Sequence, residues 1–238
     1  MEVSIKMALN IDDVSYLVLQ HFTTEQAPIM VAIACAESSL NPNAEGDSPK
    51  SLRTAGYNSS ANIAKYWNCP VSGQTTDDTA GASIGLFQIF LGANHKTVMN
   101  LSGIHFSTKD IGLSYDVPVN ESNACQLVEW LKVPENNVRA AKAIFDNQGY
   151  GAWSVYKYPE GNPVYLRHLT DATNSVNRVL AKPPDSDTTP DKPNYVYIKQ
   201  PGSLFAILGI TLAVALTTMF LSEENRKDST TRRTWVKL

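Results

Sequence analysis

Residues 28–44 read PIMVAIACAESSLNPNA. Nothing polar precedes Glu37 in this stretch, and Asn41-Pro42 punctuates its end, because a residue before proline is pushed out of the α region. The stretch predicts a largely apolar helix that starts at Pro28 and stops at Asn41-Pro42. Met30, Ile33, Ala34 and Glu37 recur at i, i+3, i+4 and i+7, so the single carboxylate shares a face with apolar side chains. Ile33 and Leu40 flank it about one turn away on either side. A carboxylate held against apolar surface loses hydration and its pKa rises. It then keeps a proton near neutral pH, which is what a general acid requires. The same pattern fits a helix-end glutamate that faces solvent.

Around this stretch the chain has the size and composition of one folded domain with additions. It has 238 residues, 43% of them hydrophobic and 18% charged, and a formal net charge of −3. Those values describe a globular chain and not a disordered one. No basic stripe interleaved with aromatics runs through the first 180 residues, so sequence-specific nucleic-acid binding is not expected. Three cysteines, Cys35, Cys69 and Cys125, give neither a zinc pattern nor a disulfide framework. One pair would bridge in an oxidising compartment, and the spacing does not say which; Cys35, inside the apolar helix, reads as a buried small residue. The opening MEVSIKMALNIDDVSYLVLQ is not expected to be a secretory signal, because Asn10, Asp12 and Asp13 break its apolar run.

In chain order, residues 11–21 read as an amphipathic helix with Val14, Leu17 and Val18 on one side. Thr23 and Gln26 have capping-box spacing ahead of the apolar helix, and Pro28 is tolerated in its first turn. Residues 43–82 form a long polar segment with one short helix expected over 60–67; a loop of this length in a compact domain is usually functional or mobile. GASIGLFQIF, residues 81–90, is too short for a full helix. Gly81 and Gly85 permit close backbone approach or unusual dihedrals. Gln88 sets a two-way hydrogen-bonding amide among Leu86, Phe87 and Ile89, either to line a site or to satisfy the local backbone. Helices are expected over 120–131 and over 136–147, the second ending at Gly149. The aromatic run GYGAWSVYKY follows, with Tyr150, Trp153, Tyr156 and Tyr158. These rings either offer faces to sugar rings or plug the domain. A last helix is expected over 163–180.

At Lys182 the composition changes. KPPDSDTTPDKPNYVYIKQPG carries five prolines and reads as an extended linker. SLFAILGITLAVALTTMFLS, Ser203 to Ser222, has no charge in twenty positions, about the length of a helix that crosses a bilayer. Gly209, Ala213 and Thr217 make a small-residue stripe along it. The tail from Glu223 to Leu238 carries five basic residues against three acidic ones. As a topology signal this places the tail on the cytoplasmic or nucleic-acid side, with the large domain across the membrane. The expected organisation is therefore a globular domain over 1–181, a linker over 182–202, a transmembrane helix over 203–222 and a basic tail over 223–238.

Three segments in order, AESSLNPNA, SIGLFQI and a helix running into NQGYGAW, resemble the lytic transglycosylases of the lysozyme-like superfamily. The resemblance spans residues 28–169. It implies a mainly α, lysozyme-like domain, α+β with little sheet. It also implies cleavage of the β-1,4 bond between N-acetylmuramic acid and N-acetylglucosamine in peptidoglycan. Glu37 would protonate the glycosidic oxygen and then take the proton of the muramyl 6-hydroxyl as a 1,6-anhydro ring closes. That chemistry runs on one acid and calls for no metal and no cofactor, whereas most glycosidases use two carboxylates; Asp77 and Asp78 are the candidates for a second. Ser38 and Ser39 would position Glu37 or an acetamido group. Gly85, Leu86, Phe87 and Gln88 would line the sugar cleft, and Tyr150, Trp153 and Tyr156 would stack on sugars. Many members carry a tyrosine that hydrogen-bonds the catalytic acid. Here Phe145 stands beside the matching run, so Tyr150 and Tyr156 are the candidate hydroxyls.

The form of the third segment is similar to phage-borne members. With an anchor and no leader, the resemblance implies a virion enzyme that opens the wall for genome entry, its partners being glycan strands, a lipid bilayer and other virion or membrane proteins. A bacterial inner membrane with the domain in the periplasm is the alternative location. A muramidase-type hydrolase using the same Glu, or a non-catalytic wall-binding membrane protein, is the alternative function.

Overall fold

Helix α2 (Ala27–Ser38) is buried on every side and not along one stripe: Ala27 and the six consecutive residues from Met30 to Cys35 are all buried. A helix without a polar face has to be enclosed, and α1 (Ile11–Leu19) and α9 (Leu166–Ala181) pack against it. The expected capping box is in place ahead of it. Thr23 N–H donates to Gln26 Oε1 at 3.2 Å and Gln26 N–H donates to Thr23 Oγ1 at 3.3 Å. The helix ends at Ser38, short of the expected stop at Asn41-Pro42. The reason is that Ser39 and Leu40 both adopt left-handed backbone, with φ of 52° and 61°. That conformation is uncommon away from glycine. Here it turns Leu40 inward, where it is buried, and its carbonyl accepts Leu9 N–H at 3.0 Å.

The computed structural model describes residues 8–67, 69, 81–112, 116–120, 122–157 and 163–182. The expected linker, the apolar segment Ser203 to Ser222 and the basic tail lie outside the described residues, as do Asp77, Asp78 and Tyr158. Among the described residues, no helix is long and apolar enough to cross a membrane.

Helices α1 and α9 are joined by a polar clasp. Ser15 and Ser175 hydroxyls meet at 2.7 Å, and Asp12 accepts from Ser175 Oγ and from Arg178 Nη2, each at 2.6 Å. Both serines are buried, so their pairing satisfies groups that have lost water.

The polar segment after α2 holds more structure than the one helix expected there. Strand β1 (Glu45–Gly46) is followed by α3 (Pro49–Thr54) and α4 (Asn58–Trp67). Ser48 caps α3 by accepting Ser51 N–H at 3.1 Å, with Pro49 in its first turn. GASIGLFQIF then forms a hairpin. Strand β2 (Ser83–Ile84) pairs antiparallel with β1 on one side and with β3 (Ile89–Phe90) on the other, Glu45 opposite Ile84 and Ser83 opposite Phe90. Gly85 turns the chain with φ 79°, and the Asn137 side chain occupies the space a Cβ would need.

Helix α5 (Leu91–Ser102) follows at once. The sequence reading did not include it, because its buried positions, Leu91, Gly92, His95 and Val98, carry only two large apolar side chains. A second ribbon pairs β4 (Thr108–Lys109) with β5 (Val117–Pro118). Helices α6 (Ser122–Leu131) and α7 (Pro134–Gln148) fall where expected, and Gly149 ends α7 with φ 61°. A 3₁₀ turn (Gly149–Ala152) and the short α8 (Ser154–Lys157) lead towards α9.

The described residues are thus mainly helical with little sheet. Cys69 and Cys125 form a disulfide, Cα to Cα 4.9 Å, that ties the end of α4 to α6. Cys35 is free and buried, and burial pushes its thiol pKa up to about 11.

Candidate active site

The last turn of α2, the β1–β2–β3 hairpin, the start of α5 and the corner from α7 to α8 surround a cavity of about 270 Å³. Glu37 lies on its wall, half-buried, as the one charged side chain of α2. Loss of solvation and the neighbouring Asp47 charge push the Glu37 pKa up to about 7, against the opposing pull of the Val155 backbone N–H. No Lys or Arg is paired with Glu37 among the described residues. By contrast Glu45, eight positions on, is paired with Lys132 at 2.8 Å.

Asp47 is held in place by its surroundings. Its backbone is left-handed, φ 55°, and its carboxylate accepts a hydrogen bond from the hydroxyl of buried Ser83. Gln88 is also left-handed, φ 46°. Its Nε2 donates to Ala44 O at 3.1 Å and to Gly85 O at 3.0 Å, which uses both amide hydrogens. Its Oε1 rests against Gly46, where a Cβ would collide with it. Behind the hairpin, Trp153 is buried against Phe87, and its Nε1 donates to Phe87 O at 3.0 Å. A second, shallower depression over α3, lined by Ser48, Lys50, Ser51, Thr54 and Ala55, holds no carboxylate.

Several expected site residues do other work. Leu86 and Phe87 are fully buried and Gly85 is enclosed, so they support the hairpin and offer no side chain to the cavity. Trp153 borders the cavity but is 5% exposed. It cannot present a ring face to a sugar, because that face is spent on the core. Tyr150 and Tyr156 stack on each other at 5.0 Å, and Tyr156 on Tyr165 at 4.9 Å; none of the three lines the cavity. No tyrosine hydroxyl is hydrogen-bonded to Glu37 among the described residues; the group acting on it is the Val155 N–H. Ser38 donates back to Ala34 O at 3.1 Å and Ser39 is exposed, so neither reaches the cavity.

The structure also brings in residues the sequence reading missed: Asp47, Ser83, Asn94, Gln148 and Ser154. Asp47 follows Gly46 in a turn-like pair. Its return to Glu37 depends on pairing between two-residue strands, which leave no alternating pattern to read.

An acid with a pKa of about 7, backed by apolar surface and beside a carboxylate held by Ser83, suits chemistry that protonates an acetal oxygen and stabilises the cation left behind. Comparison with protein-family models, with curated proteins and with solved structures returned no match.

Proposed function

We propose that this chain is a peptidoglycan lytic transglycosylase with a lysozyme-like domain. The observation that carries the reading is Glu37, half-buried in the cavity, with no Lys or Arg paired to it among the described residues and with its pKa raised to about 7. Glu37 gives its proton to the glycosidic oxygen between N-acetylmuramic acid and N-acetylglucosamine. The C1–O bond breaks, its electron pair stays on the leaving oxygen, and that oxygen becomes a free hydroxyl. Positive charge develops at C1, where the Asp47 carboxylate stabilises it. The muramyl 6-hydroxyl oxygen then bonds to C1 and returns its proton to Glu37, leaving a 1,6-anhydro sugar and a recharged acid.

Asp47 also favours a second reading. Two carboxylates at one cavity are the usual equipment of a glycoside hydrolase, and a water at the same C1 would give a reducing sugar instead. Mass spectrometry of the released fragments separates the two, because the anhydro product is lighter by one water.

The Cys69–Cys125 disulfide supports work outside a reducing cytosol. The apolar segment Ser203 to Ser222 fits a bilayer anchor. We place the protein in the membrane of a phage particle, opening the wall for genome entry; the inner membrane of a bacterium, facing the periplasm, is the other location.

The test is a zymogram on wall-containing gel. The wild-type chain clears the gel and Glu37→Gln does not, with a loss of at least about a thousandfold in rate, because the step loses its acid. Clearing by Glu37→Gln at the wild-type rate rejects the assignment, and no clearing by either leaves a wall-binding protein.

A further inference from the structure

Three carboxamides line the cavity, Gln88, Asn94 and Gln148, and the first two are the less exposed. Gln88 comes from the hairpin and has spent both amide hydrogens on Ala44 O and Gly85 O. Asn94 comes from the first turn of α5, where its Nδ2 donates to Phe90 O at 3.0 Å. That bond fixes which way the Asn94 amide faces, since the reversed amide would set an oxygen against the Phe90 carbonyl. Asn94 is half-buried and lines the cavity, and its Oδ1 has no protein partner among the described residues. The Asp47 carboxylate adds further acceptor oxygens, one of them held by Ser83. Among the less exposed polar side chains of the cavity acceptors therefore predominate, the Gln148 amide and the Ser154 hydroxyl standing at exposed positions. A ligand that fits it must bring N–H or O–H groups, because each unmatched acceptor would lose water without recompense. A 2-acetamido sugar brings an amide N–H on C2 in place of the hydroxyl that a plain glucan carries there, and sets it at the longer reach of a planar amide.

We propose that Asn94 is a specificity residue of this site, its Oδ1 accepting the N–H of a 2-acetamido group on the bound glycan. The inference rests on the glycan-cleaving reading above, and it predicts binding that is separable from cleavage.

The test uses the full chain carrying Glu37→Gln, so that the probe survives, and measures binding calorimetrically. The probes are an N-acetylated chito-oligosaccharide and the same oligosaccharide with its acetamido nitrogens methylated, which removes the donor. The Glu37→Gln chain is expected to bind the N–H probe about tenfold more tightly than the methylated one, the worth of one well-placed hydrogen bond. Adding Asn94→Ala should erase most of that preference, and adding Asn94→Leu, which keeps the bulk and removes the acceptor, should do the same. The protein and ligand changes together form a double-mutant cycle, so steric effects of the methyl group cancel.

No preference in the Glu37→Gln chain overturns the proposal, and this arm needs no change at Asn94. A full preference retained by both Asn94 variants also overturns it. A preference that depends on Asn94 in a chain whose wild type never cleaves wall upholds this inference and rejects the catalytic one. Cleavage together with a preference that ignores Asn94 does the reverse.

Discussion

Asn137 and Gln88 are two carboxamides that hold the same hairpin from opposite sides. Asn137 is fully buried in α7. Its Oδ1 accepts Phe87 N–H at 3.0 Å, and its Nδ2 donates to Ile84 O and Leu131 O, both at 2.9 Å. Every amide hydrogen is used, and the backbone groups it serves lie on two separate segments, the hairpin and the end of α6. Gln88 also gives both hydrogens to backbone carbonyls, but its oxygen has no protein partner among the described residues and rests against Gly46, and the residue lines the cavity together with Glu37 and Asp47. One amide is wholly structural, and the other is structural on its nitrogen and available on its oxygen. The core side of the hairpin thus fixes a position that the cleft side uses, and the two sides should respond to substitution in different measurements.

The largest expected effect is on the core side. Asn137→Ala strands the Phe87 N–H and two carbonyls without water, which costs about 3–5 kcal/mol. Thermal unfolding should show the melting temperature falling steeply, with wall cleavage lost along with the fold. A small change in melting temperature would break the distinction between the two amides.

A smaller effect, with the opposite sign, is expected at Glu37. The folded pKa is raised to about 7 from an ordinary 4.5. Between those values the unfolded chain has released a proton that the folded chain keeps. Stability therefore declines as pH rises through that window and stays reduced above it. Glutamine escapes the penalty. Glu37→Gln should be more stable than wild type at pH 8 by about 2 kcal/mol, after allowance for its partial exposure, and no more stable at pH 4. Denaturant melts at the two pH values check this, and equal differences at both would contradict it.

The smallest effect on the fold is expected at Gln88. Gln88→Ala removes two hydrogen bonds from a half-buried group, at about 1–2 kcal/mol. Its main readout should be function, with KM for soluble glycan rising about tenfold and kcat changing less, as for a lost binding contact. A fall confined to kcat would assign Gln88 to the chemistry and not to binding.

How much of this was legible in the sequence depends on how far apart the interacting residues lie. The apolar run before Glu37 announced a buried helix, and Thr23 with Gln26 announced its start. The motif at 81–90 announced an irregular, glycine-dependent turn. Those signals are local. The end of α2 was misread because Ser39 and Leu40 carry no turn signal, and only the burial of Leu40 accounts for their left-handed backbone. The stacking of Tyr150, Tyr156 and Tyr165 on one another needed the return of the chain at the start of α9, so single rings looked free to meet a sugar. The pairing of Cys69 with Cys125 and the approach of Asp47 to Glu37 are contacts between segments, set by packing and not by spacing.

All of the proposed chemistry needs Glu37 to keep its proton in neutral solution. The measurement that meets this directly is a carbon-13 NMR titration of the Glu37 side-chain carboxyl in the folded protein. The account predicts a midpoint of about 7. A midpoint at the ordinary value of 4.5 would mean a solvated, ionised glutamate with no proton to give, and would contradict it.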